Sequence, residues 1–146
     1  MTRNIFLKNY KDFIQCAIKL NETVKRQGLL SLENEIENLD DENFKQGLRF
    51  AIDGIGPEII DEIYSNIIEF EKDEHLRQLK IIQKRTVLGI QKGENTHILY
   101  LVLNSYANLS PEEKDEIESS IFYDTSDEYS DQQETEDLIL RSKIYP

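Results

Sequence analysis

The 146-residue sequence has little of several features that small proteins use for stability or for chemistry. Cysteine occurs once, at Cys16, so no disulfide can form within the chain. This usage is typical of a reducing compartment, and we expect a cytoplasmic location. Basic residues are outnumbered, because 17 lysines and arginines stand against 29 acids and give a net charge of −12. Such a charge disfavours binding to nucleic acid or to an anionic membrane surface.

Long apolar runs are absent as well. The longest uninterrupted run covers residues 98–103, whereas a membrane-spanning helix needs about 20 mostly apolar residues. Residues 1–13 also lack the apolar core of a signal peptide. We therefore expect neither a membrane span nor a secretory leader.

The residue patterns of common enzymes and metal sites are missing too. The two histidines, His75 and His97, lie far apart without metal-ligand spacing around them, and one cysteine does not make a zinc cluster. No phosphate-binding glycine loop and no Gly-x-Ser-x-Gly motif occurs. We expect no catalytic residues, no metal and no cofactor, and hence a protein that is not an enzyme.

What the sequence does contain is helical periodicity. Near the start, apolar residues recur at alternating spacings of four and three, which predicts one helix that packs on another long helix and ends near Gly28. These are Phe6, Tyr10, Phe13, Ala17, Leu20 and Val24.

Further helices follow, each with its own start signal. We predict a short amphipathic helix carrying Leu29, Leu30, Leu32 and Ile36, and then a helix capped by Asp40 or Asp41. A long helix is predicted from Pro57 to Gly93, with a buried stripe at Ile60, Ile63, Ile67 and Phe70 that a polar, solvated stretch at residues 71–75 interrupts before it resumes in a new phase. An apolar helix over residues 96–108 should be the most buried element, and the capping box at Ser110 predicts a last helix to about Phe122.

These elements predict an all-α fold, a compact helical domain with antiparallel long helices. We expect the domain to comprise residues 1–122. Residues 123–146 should form an acidic, disordered C-terminal tail with a short apolar end, since residues 123–137 contain seven acids and no base.

One short motif indicates a different function. Residues 50–60 resemble the turn of helix-hairpin-helix DNA-binding modules, in which a Gly-hydrophobic-Gly turn offers backbone amides to a phosphate. The flanking acids Glu58, Asp61 and Glu62 oppose that function. The alternative is a tight connection between two helices, and we expect no nucleic-acid partner.

A longer resemblance lies in the stretch KRQGLLSLENEIEN, at residues 25–38. Residues 17–33 resemble the cytoplasmic segment of the flagellar motor stator subunit MotA, of the MotA/TolQ/ExbB type, in which a basic segment, a glycine and apolar residues precede Leu-Glu and more acids. Residues 44–63, 69–78, 88–95 and 101–114 are similar to later segments of that family, in the same order. The resemblance covers roughly residues 10–114.

The resemblance implies a contact surface without an ion channel. The family has two membrane helices before this region and two within it, and the chain has none, so ion-driven torque is not expected of it. In the family, one basic and one acidic side chain that flank the glycine face the rotor protein FliG. The matching residues here are Lys25 and Glu33, with Arg26 and Glu35 beside them.

We therefore expect a soluble, non-catalytic MotA-like protein of bacterial motility, which binds FliG or a stator component as an adaptor or regulator. Two alternatives stay open. One is an acidic helical protein-interaction module unrelated to motility, in which the same charges complement a helix end and cover a solvated face. The other, less favoured, is the helix-hairpin-helix nucleic-acid binder.

Overall fold

The protein is helical throughout the part of the chain that the structure describes. A computed structural model describes residues 1–122 and contains no β-strand in that range. Short 3₁₀ turns at Leu29–Ser31 and Ile36–Asn38 flank the second helix. The all-α prediction is confirmed, whereas the predicted tail at 123–146 lies outside the described residues. The helices are α1 (Arg3–Gln27), α2 (Leu32–Glu35), α3 (Glu42–Ile52), α4 (Pro57–Phe70), α5 (Glu74–Gln91), α6 (Thr96–Ala107) and α7 (Pro111–Phe122).

Helix α1 follows its predicted period. The Thr2 hydroxyl accepts a hydrogen bond from the Ile5 amide at 3.2 Å and so caps the start of the helix. The predicted stripe is buried except for the half-buried Phe13, and Ile14 and Ile18 widen it. This wide apolar face packs against both α5 and α6, which a narrow seam could not do.

The single helix predicted over residues 57–93 is wrong in its length, because the chain forms two helices there. The polar stretch 71–73 separates α4 from α5. The backbone of Asp73 is extended, with φ −77° and ψ 118°, and its carboxylate accepts a hydrogen bond from the Leu76 amide at 2.9 Å. Glu71 in turn accepts a hydrogen bond from the Asp73 amide at 3.1 Å. The break between α4 and α5 is therefore stabilised by a hydrogen-bonded N-cap at Asp73.

The buried face of α4 also differs from the predicted one. Phe70, which the sequence placed in the buried stripe, is 82% exposed. Ile63 and Ile67 are only half-buried. The sequence could not separate the two faces, because α4 carries isoleucines on both. Its buried residues are Ile60, Tyr64 and Ile68.

Helix α5 lies at the centre and contacts α1, α3, α4 and α6. Helices α1 and α6 are antiparallel, since the Tyr10 hydroxyl donates to Asn104 Oδ1 at 2.7 Å and Asn21 Nδ2 donates to the Thr96 hydroxyl at 2.9 Å. Helix α5 is antiparallel to α4 and to α6. In contrast, α1 and α5 run in the same direction, because Asn21 also donates to the Glu94 carbonyl just beyond α5. The predicted antiparallel packing holds for α1 with α6 and not for α1 with α5.

Helix α6 is less buried than its composition indicated. Ile98, Leu101 and Tyr106 are about half exposed, although we expected α6 to be the most buried element. Only the face that packs on α1 and α5 is fully buried, and it includes Leu99 and Leu103. An apolar composition on both faces therefore does not imply burial of both.

Residues up to Ala107 form one compact unit, and Asn108 begins a second. Within the second unit, α7 opens with the predicted capping box. The Glu113 amide donates to Ser110 Oγ at 3.1 Å, and the Ser110 amide donates to the Glu113 carboxylate at 2.9 Å. The domain boundary at residue 122 stays a prediction. None of the helices in residues 1–122 has both the length and the apolar character needed to cross a bilayer.

Candidate functional site

The basic side of the predicted contact surface is the last turn of α1. Lys25 and Arg26 lie there, and both are exposed. Their positive charges complement the negative end of the helix dipole. The Lys25 side chain makes no hydrogen bond or ion pair to another described residue. Its position is fixed by the neighbouring Val24, which is buried in the core.

Gly28 connects the basic side to the acidic side. Its backbone has φ +87° and ψ 166°, a region that only glycine adopts readily. A Cβ atom placed there would meet no heavy atom within 4 Å, so the conformation and not crowding requires glycine. The Ser31 hydroxyl donates to the Gly28 carbonyl at 2.6 Å and holds the following turn.

Replacing Gly28 tests this conformational requirement. We expect Gly28→Ala and Gly28→Asn each to lower the free energy of unfolding by about 1–3 kcal/mol, measured by urea denaturation. Asparagine tolerates the left-handed helical region, but ψ 166° lies far outside that region. A Gly28→Asn variant as stable as the natural protein would show that the connection is not held in this conformation.

The acidic side is α2, which carries Glu33 and Glu35. Both side chains are exposed, and Glu33 makes no hydrogen bond or ion pair to another described residue. Leu32 and Ile36, four residues apart, are buried and fix the orientation of this short helix. The structure therefore presents exposed charges of opposite sign on the two sides of Gly28.

Leu30 is a feature of this surface that the sequence did not reveal. The sequence assigns Leu30 to the apolar residues of one short amphipathic helix, with Leu29, Leu32 and Ile36, yet Leu30 is 67% exposed. The prediction failed because residues 29–31 form a 3₁₀ turn, which rotates each residue differently from an α-helix. The spacing of Leu32 and Ile36 is the signal that could have placed Leu30 outside. An exposed leucine thus lies between the basic and the acidic residues.

The next acid along the chain, Glu37, is engaged within the fold. Its carboxylate accepts a hydrogen bond from the Arg49 guanidinium at 2.7 Å and lies 3.6 Å from the Lys45 ammonium. The Arg49 hydrogen bond, followed by the charge of Lys45, lowers the pKa of the Glu37 carboxyl. Glu33 and Glu35 are therefore better placed than Glu37 to contact a partner.

Comparison with known proteins gives this surface a context. The chain is 38% identical over 79 residues to Motility protein A of Treponema phagedenis and 40% identical over 58 residues to Motility protein A of Borreliella burgdorferi. It is 41% identical over 54 residues to Motility protein A of Bacillus subtilis. The comparisons support a MotA-like relationship. No protein-family profile matches the chain.

The matches cover only part of this chain and part of each relative. They cover 54%, 40% and 37% of this MotA-like chain, and 30%, 22% and 20% of the three relatives in the same order. The chain thus spans less than a third of the length of the curated relatives it matches. Together with the helical fold, the matches indicate a motility-related, MotA-like helical protein.

The glycine turn after α3 serves the helix connection. The Gly54 amide donates to the Ala51 carbonyl at 3.1 Å, and the Ile55 amide donates to the Phe50 carbonyl at 3.0 Å. These two amides are thus used to close α3. The Glu58 carboxylate lies 2.8 Å from the point where a Cβ of Gly56 would stand, which places negative charge at the turn. A mobility shift of a DNA duplex at low salt would be needed to restore the nucleic-acid alternative.

The histidines lie in separate packed environments. The His75 ring is 5.3 Å from the Phe6 ring, and the buried His97 ring is 6.5 Å from that of Tyr100. Within residues 1–122, no group of three or more His, Cys, Asp or Glu side chains is arranged to hold a metal ion. The prediction of a protein that is not an enzyme stays a prediction.

Proposed function

We propose that this chain is a non-catalytic, MotA-like protein of the flagellar apparatus that binds the rotor protein FliG or a stator component as an adaptor or regulator. The observation that carries the proposal is the pair of exposed charged groups flanking Gly28, in a chain similar to Motility protein A. We extend the cytoplasmic location of the matching MotA segment to this chain.

The proposed contact surface comprises Lys25, Arg26, Glu33 and Glu35, with Leu30 between them. Exposed ion pairs contribute little affinity, so the four charges steer a partner and select it. Leu30 adds the apolar contact, since burying an exposed leucine side chain stabilises a complex by up to about 2 kcal/mol. Charge complementarity and one apolar anchor are together typical of a transient regulatory interface.

Charge reversal on either side of Gly28 tests the surface. We expect Lys25→Glu or Glu33→Lys to weaken binding to FliG or to the stator complex by about three- to tenfold, mainly through a slower association rate. The matched controls, Lys72→Glu and Glu69→Lys, change equally exposed residues near the end of α4. They should leave the rate constants unchanged within about twofold. If the control variants weaken binding as much as the variants beside Gly28 do, the loss of affinity comes from the change in net charge and not from this surface.

Direct binding tests the proposal as a whole. Purified protein is titrated against immobilised FliG and, separately, against the stator complex by biolayer interferometry at two salt concentrations. We expect binding to one of them that weakens as salt is raised. The proposal fails if neither partner binds at up to about 100 μM protein and a deletion strain swims normally.

The alternative is an acidic interaction module outside motility. The net charge of −12 favours it, since this charge alone would attract many basic proteins. A gene neighbourhood without flagellar or chemotaxis genes, together with a non-motor protein recovered by affinity capture, would support this alternative.

A further inference from the structure

A groove of about 570 Å³ opens between α1, α5 and the segment that leads into α3. Part of its wall is apolar, and the rings of Phe13 and Phe44 meet there edge to face with centroids 4.8 Å apart. Leu39, Leu76 and Leu79 belong to the same apolar part. The volume lies in the range of pockets that enclose a ligand or a few side chains. None of the four predicted contact residues lines this groove.

Three of the six polar residues that line the groove are acidic, and the other three are amides. Asp12, Asp40 and Asp41 line it, and no lysine or arginine among the described residues does. Asp41 caps α3 by accepting a hydrogen bond from the Phe44 amide at 3.0 Å. The side chains of Asp12 and Asp40 are exposed and make no hydrogen bond or ion pair to another described residue. Within the described part of the chain, these two carboxylates thus have no cationic partner.

Gln83 of α5 adds an unsatisfied acceptor. The residue lines the groove with its side chain 6% exposed, and its amide oxygen has no hydrogen-bond donor among the described residues. A buried amide oxygen without a donor is unfavourable, and nearly all such groups in folded proteins have a partner. The oxygen is itself buried, so this acceptor lies within the wall and not at the open surface of the groove.

We propose that the groove binds a short peptide segment of a partner protein that presents an aromatic or aliphatic side chain next to a lysine or arginine. The apolar side chain packs against the phenylalanine and leucine wall. The cationic group pairs with Asp12 and Asp40. The Met1 ammonium, the one cationic group among the described lining residues, is paired with Asp73 at 2.6 Å and does not neutralise these aspartates.

Cys16 gives a direct readout of occupancy, because it is the only cysteine of the chain and lines the groove. Burial raises the pKa of its thiol, so alkylation by iodoacetamide is followed at about pH 9, where thiolate forms. The probe is the peptide acetyl-Lys-Phe-Arg-amide, titrated into the full chain. We expect it to slow alkylation in a saturable way. Peptides with serine for the phenylalanine, or with glutamate for both basic residues, should have no effect.

Variants of the chain make the test specific. Asp12→Asn/Asp40→Asn should weaken peptide protection by about tenfold. The matched control is Glu62→Gln/Glu69→Gln, which also removes two negative charges, from −12 to −10, at exposed positions of α4 outside the groove. It should leave protection unchanged within about twofold. Equal weakening by both double variants, or no protection at all, would overturn the proposal.

Other occupants would show themselves in the same assay. Equal protection by phenethylammonium, which carries a ring and a charge but no peptide, would overturn assignment to a peptide. Protection that grows with protein concentration, without any peptide, would assign the groove to a second copy of the chain. Glu33→Lys lies outside the groove and should leave peptide protection unchanged. Failure of the motor-binding proposal is therefore distinguishable from failure of the groove proposal.

Discussion

Gly47→Ala is expected to lower the free energy of unfolding by about 2–4 kcal/mol, although alanine is more favourable than glycine inside a helix by about 1 kcal/mol. Gly47 is buried in α3, and a Cβ there would overlap the Tyr64 hydroxyl oxygen of α4 and lie 2.8 Å from Cζ of the same ring. The Tyr64 hydroxyl cannot move away freely, because it donates to the Asn43 carbonyl at 2.6 Å. The added methyl thus forces α3 and α4 apart and breaks a hydrogen bond.

A double-mutant cycle with Tyr64→Phe separates these two effects. Removing the hydroxyl should cost about 1 kcal/mol on its own, because one hydrogen bond is lost. In the double variant the closest overlap is absent, so the combined loss should be at least about 1 kcal/mol smaller than the sum of the single losses. Urea denaturation gives all three values. Additive losses would show that the two side chains do not meet as described.

Glu94→Gln is expected to cost about 3 kcal/mol near neutral pH, because it leaves the Arg85 guanidinium without its anion. Arg85 donates two parallel hydrogen bonds of 2.7 Å to the Glu94 carboxylate, and the two side chains are 20% and 9% exposed. This pair joins α5 to the loop before α6. Glu37→Gln is the matched control, since Glu37 also pairs with an arginine at 2.7 Å but is exposed, and its substitution should leave stability unchanged within error.

The same pair predicts a pH dependence with a definite sign. Burial raises the pKa of Glu94, but the Arg85 hydrogen bonds and charge, with Lys92, outweigh it and hold the pKa below its ordinary value of 4.5. The stability from the pair is therefore complete above that ordinary value and is lost as the pH falls through the lowered one. The difference in unfolding free energy between the natural protein and Glu94→Gln should narrow below about pH 4. An equal difference at pH 7 and pH 3 would contradict this.

Local signals in the sequence predicted most helix boundaries. Gly28, Asp41 and the Ser110 capping box each stop or start a helix where the pattern indicated, because these residues act on amides within four positions. The break before α5 was missed. Asp73 caps α5 locally, but a single aspartate among other polar residues is not a specific signal for a helix start. The face of α4 was also missed, since its choice depends on packing against α3 and α5.

For the contact surface and the groove, too, the sequence predicted the features that depend on neighbouring residues and missed those that depend on the fold. The exposure of Lys25 and Glu33 follows from their positions beside buried Val24 and Leu32, which the apolar pattern reveals. The exposure of Leu30 depends on a 3₁₀ turn, whose change in rotation cannot be read from apolar spacing. The groove could not be predicted at all, because it brings together residues as distant in the chain as Phe13, Asp40 and Gln83.

Photo-crosslinking from position 30 in living cells tests the proposed motor contact most directly. A photoreactive phenylalanine analogue replaces Leu30 in one strain and the exposed Glu69 in a control strain, and the captured proteins are identified by mass spectrometry. We expect position 30 to capture FliG or a stator subunit and position 69 to capture neither. Capture of no motor protein from position 30, or equal capture from both positions, would contradict the proposal.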